Sequence, residues 1–140
     1  MSPHHHMAVE HMRLREALSR LCLVVGPVNC PPAGHIYLGM LESLAQYFAN
    51  DLSTHAAHEE AYQYPALASR MRPGELEQLL ADHRVLLVLA EAFTETATTS
   101  LVAPGEVAWA ALREHATALA TLLADHLTRE EAIADRVPVA

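Results

Sequence analysis

The 140-residue sequence predicts an all-α fold, an antiparallel up-down four-helix bundle. Three observations carry that prediction. Apolar residues recur at steps of three and four along four long segments, the period of a helix with one buried stripe. The segments are separated by short breaks marked by Pro and Gly. Strand signals are weak: alternation is rare, and aromatics make up only 5% of a chain rich in Ala, Leu and Glu. The length suits one domain, and 51% apolar residues suffice for one core and exclude a disordered chain.

The first segment is expected over residues 7–25, with the stripe Leu14, Leu18, Leu21 and Val25, ending at Gly26-Pro27. Residues 1–6 are set aside as a tail, with His4 to His6 read either as an added tag or as native; the bundle is assigned to residues 7–140. Asn29-Cys30-Pro31-Pro32-Ala33-Gly34 reads as a loop. The second helix is expected over residues 35–64, with Leu41, Leu44, Phe48 and Leu52 inside, stopping before Pro65. Arg72-Pro73-Gly74 forms the next link. The third helix covers residues 75–100, with Leu76, Leu79, Leu86, Ala90 and Phe93. Ala103-Pro104-Gly105 precedes the fourth, over residues 106–136, with Leu112, Leu119, Leu122, Ile133 and Val137.

Composition removes several function classes. All nine basic residues are Arg, so chemistry that needs a lysine, such as a Schiff base or a Walker A loop, is excluded. A formal charge of −8 without a basic cluster disfavours nucleic acid. No apolar run is long enough to predict a membrane span, and no signal-peptide core is present, so cytoplasmic residence and no membrane partner are the expectations. Cys22 and Cys30 lack the spacing of a zinc or redox motif. The outlier is histidine, ten in all.

Extending each stripe by helical steps exposes polar residues where apolar ones belong. The first stripe includes His11, the second His55 and Glu59, the third His83, and the fourth His126 and Glu130. Buried imidazoles and carboxylates are costly without a partner. In an up-down bundle the start of the first and third helices lies beside the end of the second and fourth. All six groups therefore fall at one end, where they can share a partner. His35 precedes His55 by about 30 Å of helix, and His115 precedes His126 by about 16 Å, so neither reaches the cluster. His35 reads as a surface cap and His115 as a hydrogen-bonded core residue. His58 lies to one side of the His55 face and reads as peripheral.

Imidazole with carboxylate suits iron, zinc or manganese, and the lack of a thiolate disfavours a structural zinc site. Six groups exceed one tetrahedral ion; two ions sharing the two carboxylates use them all. A ferritin-like Glu-x-x-His pattern is excluded, since Ala8, Leu52, Leu80 and Leu123 precede the four His by three. Tyr62 stands where a His-Glu-x-x-His zincin motif needs its second His.

Glu10-His11-x-x-Leu14-x-x-x-Leu18, His55-x-x-x-Glu59-Glu60-x-x-x-Tyr64-Pro65, Asp82-His83-Arg84 and His126-x-x-x-Glu130-Glu131 with Pro138 stand in order along the chain. Together they resemble the hemerythrin-like, or HHE cation-binding, family from about His11 to Pro138. The resemblance implies a non-heme centre of two iron ions, oxo- or hydroxo-bridged, at one end of a four-helix bundle. It implies His11, His55, His83 and His126 as terminal ligands and Glu59 and Glu130 as bridges. The small-molecule partner it implies is O2, peroxide or nitric oxide. Manganese and zinc are substitutes that the donors also accept. Oxygen-carrying members have a second His four residues along the third helix; here that position is Leu87. One ion then lacks a ligand unless Tyr62, His58, Glu60, Glu131 or water supplies it, and Tyr62 continues the stripe from Glu59. An open position favours chemistry over reversible O2 storage.

The leading expectation is therefore an oxidoreductase of oxidase, peroxidase or catalase type; whether a partner acts as electron donor is left open by the sequence. The rival is an iron- or oxygen-sensing, or O2-binding, module without turnover, in which occupancy orders the helices. The third reading is a metal-free bundle whose core His and Glu pair with one another.

Overall fold

The computed structural model describes residues 3–25, 35–103 and 105–138. Four long helices pack side by side: α1 (Pro3–Val25), α2 (His35–His58), α4 (Glu75–Val102) and α5 (Glu106–Ala134). The short helix α3 (Tyr64–Leu67) continues the path of α2, and no strand occurs among the described residues. Contacts run α1–α2, α2–α4, α4–α5 and α5–α1, a closed ring of neighbours. The loop at Asn29–Gly34 with Cys30, the Pro104 position and the His35 side chain lie outside the described residues. Cys22 is a free, exposed thiol.

The apolar stripes form the core largely as expected. Leu14, Leu18, Leu21, Leu41, Leu44, Phe48, Leu52, Leu86, Ala90, Phe93, Leu112 and Leu119 join one buried cluster. The Phe48 and Phe93 rings meet edge to face, with centroids 5.7 Å apart. A second, smaller apolar cluster gathers Met7, Tyr64, Leu67, Leu79, Ile133 and Ala134. Leu76 and Val137 were expected inside but are exposed, at 39% and 85%, and Leu122 is half-buried. Each sits at a stripe edge or beyond a helix end, where the three-four step no longer points inward.

Two boundaries differ from the sequence expectation. Helix α1 begins at Pro3, so residues 3–6 are helical rather than a tail; Pro is well placed in a first turn, where its missing N–H costs nothing. The second helix does not stop before Pro65. It widens into a π-helical turn over Glu59–Gln63, in which the Tyr64 N–H bonds the Glu59 carbonyl. Pro65 then falls in the first turn of α3, where it again has no donor to lose, and a 3-10 turn over Ala68–Arg70 ends the run.

The link to α4 is tight. Gly74 caps the helix with φ at 87°, a left-handed conformation that favours glycine. The Arg72 N–H donates to Glu75, and Glu75 pairs with Arg136 at the end of α5. One described helix, α4, is long and apolar enough to cross a membrane by length and composition, contrary to the sequence expectation. Its most apolar 18-residue stretch has a mean hydropathy of 1.4, of which 28% is buried. It packs between α2 and α5 and carries Asp82 and His83 into the interior.

Candidate metal centre

Between the two apolar clusters lies a polar layer. His11 from α1, His55 from α2, Glu59 from the π turn, His83 from α4, and His126 and Glu130 from α5 converge there. Glu59 and Glu130 are fully buried, His126 is 1% exposed, and His11 and His83 are nearly so. The six form two groups, each able to hold an ion: His11, His55, Glu59 and Glu130, and Glu59, His83, His126 and Glu130. Both carboxylates belong to both groups.

The distances are those of atoms arranged around a common point. His55 Nε2 lies 3.1 Å from Glu59, His83 Nε2 3.0 Å from Glu59, and His11 Nε2 and His126 Nε2 each 3.2 Å from Glu130. Adjacent ligands of one ion with bonds of about 2.1 Å are separated by about 3 Å when they stand at right angles. Yet His11 Nε2, His55 Nε2, Glu59 Oε2 and Glu130 Oε1 are buried without a hydrogen bond. Such orphans are rare in native interiors, and shared cations would satisfy all four. The donor set therefore fits metal ions.

The electrostatics agree. Burial works to lower the His11 pKa, but Glu130, Glu59 and Glu131 outweigh it and raise it to about 10. Burial likewise opposes protonation of His126, and Glu130, Glu59 and Asp82 raise it to about 10. Glu59 is held well below the usual carboxylate range despite burial, by Glu130 and by the His11, His126 and His55 imidazoles. The cluster thus attracts positive charge; protons supply it when metal does not.

A second tier fixes the imidazoles. Each Nδ1 meets a carboxylate: His11 with Glu131 at 2.9 Å, His83 with Glu60 at 3.0 Å, His126 with Asp82 at 2.9 Å, and His55 with Glu10. Such a bond sets the tautomer and turns Nε2 toward the centre. Every one of these acids adjoins a cluster residue in sequence but serves a His on the neighbouring helix. Glu10, beside His11, holds His55; Glu60, beside Glu59, holds His83; Asp82, beside His83, holds His126; Glu131, beside Glu130, holds His11. The chain of bonds closes round the bundle. Arg15 anchors Glu131 and Arg129 anchors Asp82, at 2.7 and 2.8 Å. In the sequence Glu10 and Asp82 had no assigned role, and Glu60 and Glu131 stood only as candidate ligands for the open position. Their signal was an acidic residue next to a cluster residue on each of the four helical segments.

Tyr62 does not fill the vacant position. It is 67% exposed and packs on the His58 ring. The π turn is the reason: an extra residue in the turn carries Tyr62 round to solvent and swings Tyr64 inward. The Tyr64 hydroxyl donates to Glu130 at 2.8 Å and lies 2.9 Å from His83 Nε2 and 3.4 Å from His126 Nε2. Burial, then the charges of Glu59 and Glu130, push its pKa strongly upward in the metal-free chain. Leu87 is 37% exposed on the outer flank of α4, and His83 is the only α4 residue in either group. Glu60 and Glu131, the other candidates, are the Nδ1 partners already named. His58 is half-buried beside Tyr62, and His115 bonds Thr96 at 3.3 Å, away from both groups.

Two cavities reach this layer from α1. One of about 590 Å³ lies between α1 and α5 and touches His11, Arg15 and Glu131. Another of about 300 Å³ lies between α1 and α2 and touches Glu10, His55 and His58.

Neither a curated protein nor a solved structure matches the chain. The family model for the hemerythrin HHE cation-binding domain matches residues 2–134, nearly the whole length. With a helical bundle and a buried His/Glu cluster able to bind metal, the chain belongs to that family.

Proposed function

We propose that the chain holds two iron ions and is an oxidoreductase acting on O2, peroxide or nitric oxide. One observation carries this reading: two four-residue groups of buried donors share Glu59 and Glu130, so the six residues would hold two ions. The bound irons would supply redox change and Lewis acidity.

The chain's own residues would do the rest. His11 and His55 would hold one ion, and His83 and His126 the other. Tyr64 would complete the second set, since its hydroxyl already stands at ligand-to-ligand distance from His83, His126 and Glu130. That leaves the first set less filled, on the side where the two cavities along α1 arrive. A diatomic or peroxide would enter there. The apolar layers above and below keep bulk water from the centre, which strengthens every electrostatic interaction inside it. The Nδ1 carboxylates would raise the donor strength of the imidazoles toward the bound ions.

The test is anaerobic loading with ferrous iron, followed by O2, peroxide and nitric oxide in turn, with the visible spectrum and turnover recorded. Oxo-bridge absorption after oxidation and multiple turnovers with one of the three are expected. Iron that binds but never turns over would favour the sensing reading. No iron uptake would overturn both.

A further inference from the structure

Helix α4 has an outer face that nothing among the described residues covers. Leu87 and Val88 at its middle are 37% and 65% exposed, and Leu80 is half-buried about two turns earlier. Only 28% of the most apolar stretch of this helix is buried. Arg84 and Glu91 flank the apolar centre, one turn before and one turn after it. Both are exposed, and neither forms an ion pair among the described residues. Glu95 continues the same face.

We propose that two copies of the chain associate through this face, antiparallel, about a two-fold axis passing between Leu87 and Val88. The pattern is complementary to itself in that arrangement alone. Leu87 meets Val88 of the partner subunit, and Arg84 meets Glu91 of the partner subunit, each pair occurring twice. A parallel alignment sets each Arg84 and each Glu91 against its own kind, which repels. An isologous contact of this type closes as a dimer and leaves no second patch for further growth. Residues 80, 84, 87 and 91 step by four, three and four, the spacing at which two helices pack at a shallow angle. The acids Glu77, Glu91 and Glu95 along the same helix oppose an anionic lipid surface as the alternative occupant. The metal centre faces the opposite side of α4, so this inference does not depend on what the centre binds.

Sedimentation equilibrium of the full metal-loaded chain over a concentration series tests it. A monomer–dimer equilibrium is expected. Val88→Glu places like charges at the axis and should leave only monomer, with helicity by circular dichroism unchanged. Arg84→Glu and Glu91→Arg should each weaken the dimer by about tenfold or more, and the double variant should restore it. The double variant keeps the test decisive even where a single variant folds poorly. A monomer at every concentration, a dimer indifferent to Val88→Glu, or a double variant no better than the singles would each overturn the proposal. So would binding to phosphatidylcholine vesicles without self-association.

Discussion

The same four helices build two unlike ends. At one, Phe48, Phe93, Leu112, Ala116 and Leu119 fill the interior with side chains that need only one another. At the other, the interior holds four imidazoles and two carboxylates, four of whose atoms have no hydrogen bond. The first end is stabilised by burial of apolar area, which is complete once the helices pack. The second end carries buried polar groups whose cost is offset only when something positively charged sits among them. Helical period is identical at both ends; what differs is the chemistry of the residue placed on the inner face. A bundle can therefore keep its fold at one end while leaving the other dependent on a ligand.

The strongest way to break this comparison is Glu130→Ala. Glu130 belongs to both groups, so both ions should be lost, as read by metal analysis after desalting. The helices of the apolar end should remain. Phe93→Ala attacks the other end. It should cost about 3–5 kcal/mol of stability in a denaturant titration while metal stoichiometry stays unchanged. Loss of metal in both variants would mean that the two ends are not separable.

How much of this was legible in the sequence follows the same division. The stripes predicted Leu14, Phe48, Leu86, Phe93 and Leu119 inside because their neighbours at three and four residues are apolar too. His11, His55, Glu59, His83, His126 and Glu130 stood out because they interrupt those stripes. Tyr64 was hidden. Its approach to His83 and Glu130 depends on one π turn, and stepping by three and four from Glu59 reaches Tyr62 instead. Pro65 was the available clue: a residue without an N–H does not end a helix if the turn before it widens. The partnership of each Nδ1 with an acid on the next helix was hidden for a different reason. Stripe arithmetic works along one helix, and these bonds run between helices.

A smaller effect sharpens the account of the polar end. Asp82→Asn keeps the shape but removes the charge that holds His126 Nδ1. Metal affinity should fall by about ten- to a hundredfold, with the fold intact, in a competition titration against a chelator. An unchanged affinity would assign Asp82 only to its bond with Arg129.

The subtlest expectation is a reversal of pH dependence. In the metal-free chain the His11 and His126 pKa values are raised to about 10. Their contribution to stability is then full below the ordinary histidine value of about 6.5 and is lost as pH rises toward about 10. In the metal-loaded chain protons compete with the ions for the same nitrogens, so stability should fall as pH drops. Thermal melts of both forms across pH should slope in opposite directions at the alkaline and acid ends. Parallel slopes would contradict a shared role for these imidazoles.

The central claim is that the two groups sharing Glu59 and Glu130 hold two ions. Anaerobic titration of the metal-free chain with ferrous iron, counted by metal analysis after desalting, tests it most directly. The account predicts saturation at about two irons per chain, with a rise in melting temperature as they bind. Saturation at about one iron, or no binding with an unchanged melting temperature, would contradict it.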